Sequence, residues 1–292
     1  MRASAELSYF AVDGGGTLSR YVLRYAGTRH VATGGATNVS TDFEASLAVL
    51  TQGLRDVAER AETTLETVMA LPGFIGVAGV TGPEMAHRVD RALALPNAMI
   101  ADDRPAALRG ALGARDGAIG HFGTGSFFAS RIGETQSFAG GWGSVLGDEA
   151  SAMWVGRRLL SYTVRAIDGT VAHSDLTRHV LDRHRDGPGI VRFAAGASPA
   201  DLGALARLVT GAAKEGDTVA AHIMEAAAYH VEEGIRSVGW QPGMALCLTG
   251  GLGPFYTDFL PEHLRAALRA PEGEPADGAE TLALEHARRT VT

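Results

Sequence analysis

The amino-terminal part of the chain passes from short apolar runs to a long segment of helical periodicity. Residues 7–12 are apolar enough for a buried strand, 19–25 alternate apolar and polar positions, and a third short strand is expected at 29–32. Thr41 with Glu44 three residues later has the pattern of a capping box. A helix of about five turns is predicted to follow, with apolar residues spaced near 3.6 at Phe43, Leu47, Leu50, Leu54, Val57 and Ala61.

Strands and helices then alternate, and the order of elements starts again near Ala118. The first half is completed by predicted strands and helices at 74–78, 84–95, 98–101 and 105–112. The second half has predicted strands at 118–122, 127–132 and 135–139, helices at 149–167, 175–185, 199–215 and 217–238, a strand at 244–249, a helix at 257–268 and a last helix ending near 289. Two halves of one design indicate a duplicated α/β fold. The expected domains are 1–113 and 114–276, with 277–292 as a candidate to pack back onto the first.

Charge and cysteine content narrow the function classes. The 292 residues include 26 basic and 33 acidic residues, a formal net charge of −7, which argues against nucleic acid or an anionic membrane as the main partner. One cysteine, Cys247, cannot form an internal disulfide or a four-cysteine metal site. Residues 1–10 do not resemble a secretory signal, and the apolar stretch 71–80 is too short to cross a bilayer. A cytoplasmic protein without a membrane partner is expected.

The glycine and lysine contents indicate which kinds of nucleotide-binding site are possible. It accounts for 38 of 292 residues and is concentrated in short loops, whereas lysine occurs once, at Lys214, away from any glycine loop. A P-loop requires a lysine directly after its glycines, so that class of nucleotide enzyme is excluded. The dinucleotide, zincin and serine-hydrolase motifs are missing as well. The chemistry is therefore expected to use glycine loops and carboxylates.

A triple-glycine turn stands between the first two predicted strands. Gly14, Gly15 and Gly16 allow the backbone to approach a ligand closely, so their N–H groups can converge on phosphate oxygens. Asp13 at the strand end can hold Mg²⁺, directly or through water, and Thr17 adds a hydroxyl donor. The alternative is an ordinary hairpin turn, for which fewer glycines would suffice.

A second small-residue turn occupies the matching place in the second half. It consists of Gly123, Thr124, Gly125 and Ser126. Alone it is typical of a tight turn. Together with the first turn, it offers the backbone donors that a nucleoside triphosphate needs when no lysine loop is available.

With these two turns, the chain resembles the N-acetylglucosamine kinase family, in the benzoyl-CoA reductase ATPase-like branch of the actin, hexokinase and heat-shock chaperone superfamily. The resemblance covers nearly the whole chain, and its most specific part is Gly-Gly-Trp-Gly at 140–143 followed by Leu-Gly-Asp-Glu at 146–149. Further matching segments are 34–38, 76–79, Asp103 with 107–108, and 248–251.

The resemblance implies a fold and an activity. It implies two actin-like (ribonuclease H-like) domains, each a mixed sheet flanked by helices, with a cleft between them. It also implies a homodimer that uses ATP and Mg²⁺ to phosphorylate the 6-hydroxyl of an amino sugar, N-acetylglucosamine first and glucosamine next.

Asp103 matches the family's catalytic base. A carboxylate at a strand end can accept the proton of the sugar hydroxyl as its oxygen attacks phosphorus. The alternative is that Asp103 caps the helix beginning at Pro105. Asp102 is expected to have a structural or solvent-facing role.

The remaining site residues follow from the resemblance. Gly250 and Gly251 match the loop near adenosine, with a simple turn as the alternative. The positions matching sugar contacts are Asn38, Asp103, Thr124, Gly125, Gly141, Trp142 and Asp148. Trp142 has a core position as its alternative, and Asp148 has a helix cap as its alternative. Glu149 is predicted to cap the helix that follows.

Three residues depart from the family pattern, namely Leu18, Ala36 and Ala150, and they leave the sugar specificity and loop geometry open. The pattern leaves two alternative functions. An ATPase that energises a partner protein would use cysteine-bound iron–sulfur clusters, for which Cys247 supplies too few thiolates. A non-catalytic sugar sensor would not need Asp103 or the two turns.

Overall fold

The computed structural model describes residues 7–290. The first six residues, which belong to the segment assessed for a secretory signal, and residues 291–292 lie outside the described residues. The chain forms two compact units, Met1–Arg115 with Pro271–Thr292, and Asp116–Ala270. No helix in the described part of the chain has the length and apolar character to span a membrane.

The first unit is a five-stranded mixed sheet with helices on both faces. The strand order is β3-β2-β1-β4-β5, with β1, β2 and β3 antiparallel and β1, β4 and β5 parallel. Its elements are β1 (Tyr9–Gly14), β2 (Ser19–Tyr25), β3 (Thr28–Gly34), α1 (Phe43–Arg60), α2 (Leu65–Ala70), β4 (Gly73–Val77), α3 (Pro83–Leu93), β5 (Ala98–Ala101), α4 (Arg104–Leu112) and, at the carboxyl terminus, α12 (Pro275–Thr290).

The second unit repeats this design with four strands in the order β8-β7-β6-β9. Strands β6, β7 and β8 are antiparallel and β9 is parallel to β6. A 3₁₀ helix (Gly253–Phe259) follows β9, and the other elements are β6 (Gly117–Phe122), β7 (Ser126–Ile132), β8 (Thr135–Gly140), α5 (Ala152–Ile167), α6 (Asp175–His184), α7 (Gly187–Gly196), α8 (Pro199–Ala204), α9 (Ala206–Lys214), α10 (Thr218–Ser237), β9 (Ala245–Thr249) and α11 (Glu262–Ala267). The predicted duplicated α/β fold is confirmed.

Each sheet is held by its own core. In the first unit, α1 buries Leu50, Leu54 and Val57 against the sheet, as its apolar spacing predicts. On the other face, α4 and α12 approach so closely that a Cβ on Gly278 would lie 1.9 Å from the carbonyl oxygen of Ala106. In the second unit, Phe122 and Phe128 of the sheet pack with residues of α5 and α10.

The capping box predicted at Thr41 and Glu44 is wrong. The N-cap of α1 is Asp42, whose backbone is extended and whose carboxylate accepts a hydrogen bond from the N–H of Ala45 at 3.0 Å. Thr41 instead belongs to a turn in which its N–H donates to the carbonyl oxygen of Asn38. Asp is as good a cap as Thr, and the position of the turn decides between them.

Two predicted helices are divided in the structure. The segment 199–215 forms α8 and α9, which meet at Leu205, and the carbonyl oxygen of Leu202 in α8 lies so close to Gly156 of α5 that a Cβ there would be 1.9 Å away. The segment 257–268 contains the end of the 3₁₀ helix and then α11, because Pro261 holds Leu260 in an extended conformation.

The short helices α2 and α7 were missed by the sequence pattern. Helix α2 has six residues, too few to show a period. Helix α7 contains three glycines, which lower helix propensity, and it starts at Asp186, whose side chain accepts from the N–H of Gly189.

Candidate active site

The triple-glycine turn joins β1 to β2 and is fixed by hydrogen bonds within the hairpin and to Thr37. Gly14 pairs with Ser19 across the hairpin, and the N–H of Gly15 donates to the carbonyl oxygen of Leu18 at 3.1 Å. The hydroxyl oxygen of Ser19 lies 3.0 Å from that of Thr37, and the N–H of Thr37 donates to the carbonyl oxygen of Gly15 at 2.9 Å. The turn is therefore braced by the segment after β3, one of the segments that carry the family resemblance.

The three glycines of this turn have different reasons to be glycine. A Cβ on Gly14 would lie 2.6 Å from Oγ1 of Thr37, so packing inside the unit requires glycine there. A Cβ on Gly15 would lie 3.1 Å from the carbonyl oxygen of Leu18, whereas one on Gly16 would meet nothing within 4 Å. The space beside Gly16 is open, and a ligand can approach its backbone.

Asp13 is a buried carboxylate beside an arginine. It pairs with Arg20 in the hairpin, and Nη1 of Arg20 lies 3.6 Å from Oδ2 of Asp13. Burial raises the pKa of Asp13 to about 6, and Glu274 acts in the same direction while Arg20 opposes the shift. Burial disfavours the charged form of this carboxylate, so a further cation that reaches it stabilises the ionised form.

Asp103 lies at the same edge of the sheet as Asp13. Strands β1, β4 and β5 are parallel neighbours, with Asp13 opposite Gly76 and Gly76 opposite Ala101, so their carboxyl ends lie side by side. Asp103 follows β5 by two residues. Burial raises its pKa to about 7, and the carboxylates of Asp102 and Asp13 act in the same direction.

The neighbouring aspartates Asp102 and Asp103 differ in whether their side chains cap α4. Asp103 has the N-cap position of α4, but its side chain makes no capping hydrogen bond. Oδ1 of Asp102 accepts from the backbone N–H of Arg104 at 2.9 Å and from its Nε at 2.8 Å. The capping alternative for Asp103 is therefore wrong, and the predicted structural role of Asp102 is confirmed.

Asn38 is fixed at the end of β4. It forms a bridge with Ala78, and its side-chain oxygen accepts from the N–H of Ser40 at 3.1 Å and from its hydroxyl at 2.7 Å. Gly79, at φ +87°, has no room for a Cβ because it would lie 2.4 Å from that oxygen. Asp13, Asn38 and Asp103 thus come together at one edge of the first unit's sheet.

The second small-residue turn joins β6 to β7. The N–H of Gly123 donates to the carbonyl oxygen of Gly125, and the carbonyl oxygen of Gly123 accepts from the N–H of Ala152, both at 2.9 Å. Ser126 is buried, and its hydroxyl donates to the carbonyl oxygen of Glu149 at 2.6 Å. This hydrogen bond engages the Ser126 hydroxyl proton within the unit.

Asp148 connects this turn with the loop after β8. Its buried carboxylate accepts from the backbone N–H groups of Ser126 and Gly143, while burial raises its pKa. A Cβ on Gly125 would lie 2.8 Å from Oδ2 of Asp148, so glycine is required for this contact. Asp148 has φ +60°, a strained value for a residue other than glycine.

Neither Asp148 nor Glu149 caps α5. The N-cap is Ser151, whose hydroxyl oxygen accepts from the N–H of Trp154 at 3.1 Å. Ala150 has φ +63°, which accounts for a glycine being common in the family at this position. The left-handed turn at 148–150 moves the start of α5 three residues beyond its predicted position.

Trp142 is 70% exposed, so its core alternative is wrong. It lies in the exposed loop after β8, where the N–H of Gly147 donates to the carbonyl oxygen of Gly143 at 2.9 Å. Gly141, with φ +76°, donates its N–H to the carbonyl oxygen of Ser126 at 2.9 Å. The loop that carries Trp142 is thereby held next to the second turn.

Gly250 and Gly251 follow β9, next to the second turn. Gly250 has φ +78°, and a Cβ there would lie 2.5 Å from the carbonyl carbon of Phe122. Glycine is therefore required by the close approach of two backbones at 250, whereas at Gly251 a Cβ would meet nothing within 4 Å.

Arg20 and His121 lie beside the candidate site and were not identified from the sequence, and Thr249, within the matching segment 248–251, had no role assigned. His121 and Thr249 are register partners on β6 and β9, and Nδ1 of His121 lies 3.0 Å from the Thr249 hydroxyl oxygen. The imidazole stacks on Phe127, and burial lowers its pKa to about 4. Arg20 stands opposite Asp13 only through hairpin register, so no motif could have identified it.

The described residues contain no cluster of three or more metal-ligating side chains. Mg²⁺ often keeps several waters and takes one or two carboxylates together with substrate phosphates, so the donor set of Asp13 suits it.

Comparisons with known proteins agree with the arrangement of each unit. Residues 11–279 match the model of the BadF/BadG/BcrA/BcrD ATPase family. The chain is 25% identical over 275 residues to glucosamine kinase GspK of Vibrio cholerae, with 93% of this chain and 94% of that protein covered. It is 26% identical over 240 residues to the N-acetylmuramic acid/N-acetylglucosamine kinase of Clostridium acetobutylicum, with 78% of each covered.

Solved structures show the same relationship. A candidate N-acetylglucosamine kinase of Chromobacterium violaceum is similar with a TM-score of 0.84 and 33% identity over 95% of this chain and 99% of that one. A ROK family glucokinase of Streptomyces griseus, solved with glucose and AMPPNP, shares the fold with a TM-score of 0.58 and 18% identity, covering 95% and 99% of the two chains. The expected fold class and resemblance are confirmed: the chain belongs to the BadF/BadG/BcrA/BcrD ATPase family.

Proposed function

We propose that this protein is an ATP-dependent amino-sugar kinase that phosphorylates the 6-hydroxyl of its acceptor, with N-acetylglucosamine the first candidate and glucosamine the next. The proposal depends on the position of Asp103, whose carboxylate lies at the end of β5 and makes no capping hydrogen bond. Its neighbour Asp102 caps α4, which leaves the carboxylate of Asp103 available at the edge where the parallel strands end. Ligands of α/β sheets bind at this edge.

The chemistry asks for one proton acceptor and a fixed geometry. As the acceptor oxygen attacks the terminal phosphorus, its proton passes to Asp103 and ADP leaves. A pKa of about 7 suits a general base, because its ionised form is present near neutral pH and still binds a proton. Asn38 and Asp148 are proposed to orient the sugar hydroxyls, and Trp142 to pack on the ring.

The two turns are proposed to hold the triphosphate through Gly14–Thr17 and Gly123–Ser126, with Gly250 and Gly251 near the adenosine. Arg20 adds a positive charge beside Asp13. Mg²⁺, held by Asp13 directly or through water, would neutralise phosphate charge. Supporting this assignment, the space beside Gly16 is open and the carboxylate of Asp13 is buried.

The names of the relatives support the acceptor class, since both curated relatives are kinases of amino sugars. The homodimer implied by the family stays a prediction, which analytical ultracentrifugation would check.

Coupled measurement of ADP release over a panel of sugars with MgATP tests the proposal. Sugar-dependent turnover is expected with an amino sugar, and Asp103→Asn is expected to lower kcat by about 100-fold or more, the usual contribution of a general base. Asp102→Asn is the matched control, with an expected loss of thermal stability and a smaller loss of rate. ATP hydrolysis that ignores every sugar, or near-normal turnover of Asp103→Asn, would contradict the proposal.

A further inference from the structure

The loop between β8 and α5 ends in an unfavourable backbone conformation. Asp148 has φ +60° and Ala150 has φ +63°, so two residues with side chains lie in the left-handed region. For an alanine this region is less populated than the right-handed one by a factor of about 5 to 30, because its Cβ approaches the following carbonyl oxygen. Ala150 is fully buried, and contacts with other segments are needed to keep it in this conformation.

The hydroxyl of Tyr256 supplies one of these contacts. It donates a hydrogen bond to the carbonyl oxygen of Ala150. Tyr256 is fully buried in the 3₁₀ helix after β9, where its ring packs edge-to-face on Phe122 with the ring centroids 5.0 Å apart. A conformation that turned the Ala150 carbonyl away would leave the buried hydroxyl without this acceptor, which is unfavourable. The hydrogen bond therefore favours the left-handed conformation at Ala150.

A second hydroxyl binds the neighbouring carbonyl. The hydroxyl of Ser126, in the second small-residue turn, donates to the carbonyl oxygen of Glu149 at 2.6 Å. The carbonyl groups of Glu149 and Ala150 are thus each bound by a side chain from another segment. Of these two side chains, Ser126 belongs to a turn proposed to hold the triphosphate, whereas Tyr256 has been given no role above.

The conformation at Ala150 affects the position of Asp148. The Asp148 carboxylate accepts from the backbone N–H groups of Ser126 and Gly143, and the carbonyl oxygen of Asp148 accepts from the N–H of Ser151 at 3.1 Å. Because Ala150 lies between Asp148 and Ser151, a change in its backbone conformation breaks this last hydrogen bond and displaces the carboxylate.

Resting on the proposed function, in which Asp148 orients the sugar hydroxyls, we propose that Tyr256 is a positioning residue for the acceptor. Its hydroxyl keeps Ala150 left-handed and thereby keeps the Asp148 carboxylate in place. Because Tyr256 is fully buried, it acts through the backbone of residues 148–150 and not by contact with the sugar. A chain with glycine at position 150 would not need this hydroxyl, because glycine takes a φ of +63° without steric cost.

Tyr256→Phe removes the hydroxyl and keeps the ring on Phe122. The kcat/KM for the amino sugar, measured from ADP release with MgATP, is expected to fall about tenfold, which corresponds to one net hydrogen bond. The KM for ATP is expected to stay within about twofold of the wild-type value, because the change acts on the acceptor side through Asp148.

The same change in the Ala150→Gly background separates positioning from packing. With glycine at position 150 the hydroxyl has no strained conformation to maintain, so Tyr256→Phe is expected to change kcat/KM by less than about threefold there. A hydroxyl that only stabilised the fold would have the same effect in both backgrounds. A loss with alanine that disappears with glycine supports the inference.

Tyr21→Phe is the matched control. Tyr21 is also fully buried, lies in β2 of the first unit and donates its hydroxyl to the carbonyl oxygen of Val49 at 3.0 Å. Loss of this hydrogen bond is expected to lower the melting temperature, as in Tyr256→Phe, but to leave kcat/KM for the sugar unchanged.

The outcomes separate this inference from the proposed function. An unchanged kcat/KM in Tyr256→Phe, or an equal loss with alanine and with glycine at position 150, would overturn the inference alone. If Tyr256→Phe does not fold, a folded and active double variant supports the inference, and a double variant that does not fold overturns it. Absence of sugar-dependent turnover in the wild type would overturn the proposed function and the inference together.

Discussion

The two hairpin turns occupy the same place in their sheets but carry different chemistry. In the first unit, the residue before the turn's first glycine is Asp13, a buried carboxylate paired with Arg20. At the corresponding place in the second unit stands Phe122, which is fully buried and packs edge-to-face on Phe128 and Tyr256. The first turn begins after a buried carboxylate, and the second begins after a side chain of the hydrophobic core.

The carboxylate near the second turn comes from another part of the chain and already accepts hydrogen bonds from the backbone. Asp148 accepts two backbone hydrogen bonds, whereas Asp103 in the first unit caps nothing and has a pKa raised to about 7. Under the proposed function, proton transfer and metal binding belong to the first unit, and the second unit supplies backbone donors. This division is the comparison that the following predictions address.

Asp13→Asn tests whether the first turn alone carries the metal function. The amide has no negative charge, so the Mg²⁺ concentration for half-maximal rate is expected to rise by roughly 10- to 100-fold. Titration of MgCl₂ at fixed ATP measures it. Arg20→Gln is the control, because it removes the ion pair but keeps the carboxylate; an equal Mg²⁺ requirement in both variants would contradict the assignment.

His121 tests how the second unit positions its loops. The side chain of Asn can keep the Nδ1 hydrogen bond to Thr249, whereas that of Gln reaches the Nε2 position. His121→Gln and Thr249→Val are each expected to raise the KM for ATP about tenfold, the equivalent of one net hydrogen bond. His121→Asn should remain near the wild type, with the sugar KM unchanged in all three.

Equal effects of the two amides at position 121, or a loss confined to thermal stability, would show that the imidazole only fills space.

The pH dependence of the free energy of unfolding tests the raised pKa values of Asp13 and Asp103 in the first unit. In the folded protein Asp13 and Asp103 hold protons up to about pH 6 and about pH 7, but the unfolded chain releases them near pH 3.8. At these two groups the folded state therefore binds more protons, and their contribution to the free energy of unfolding falls as pH rises from about 4 to about 7. His121, whose pKa burial lowers from 6.5 to about 4, contributes in the opposite direction, so the comparison with a variant isolates each group.

Urea denaturation at several pH values measures this dependence. Asp103→Asn should show a shallower fall than the wild type and a higher midpoint at pH 8, because it no longer buries that charge. Parallel curves for the variant and the wild type would contradict the raised pKa.

The smallest expected effects are the changes in stability when alanine replaces a glycine of either turn. Gly125→Ala brings a methyl group to 2.8 Å from Oδ2 of Asp148 and is expected to lower the melting temperature. Gly16→Ala meets nothing, and its φ is not in the left-handed region, so it should unfold like the wild type or be more stable by about 0.4–1 kcal/mol. A higher KM for ATP in a fully stable Gly16→Ala would indicate ligand contact at that backbone; a destabilised Gly16→Ala would show that its glycine serves the fold.

The sequence pattern predicted helices and strands well where the apolar spacing is regular. It predicted poorly where a contact with a distant part of the chain sets the end of an element. Helix α1 follows its apolar spacing, but its cap at Asp42 depends on a turn that Asn38 organises. The start of α5 at Ala152, capped by Ser151, depends on the left-handed residues Asp148 and Ala150, which no propensity indicates. Pro261, by contrast, divides a predicted helix for a purely local reason that the pattern alone overlooked.

Amino-acid order by itself determined the duplicated α/β design, the two glycine turns and the aspartates near strand ends, because period, glycine content and charge are local properties. Tertiary structure decided which aspartate is available. The sequence separated Asp102 from Asp103 only through strand alternation and the family resemblance, whereas the position of α4 gives the capping hydrogen bond to Asp102 and leaves Asp103 buried with a raised pKa. Strand register likewise placed Arg20 beside Asp13 and His121 beside Thr249, because pairing across a sheet depends on residues far apart in the chain.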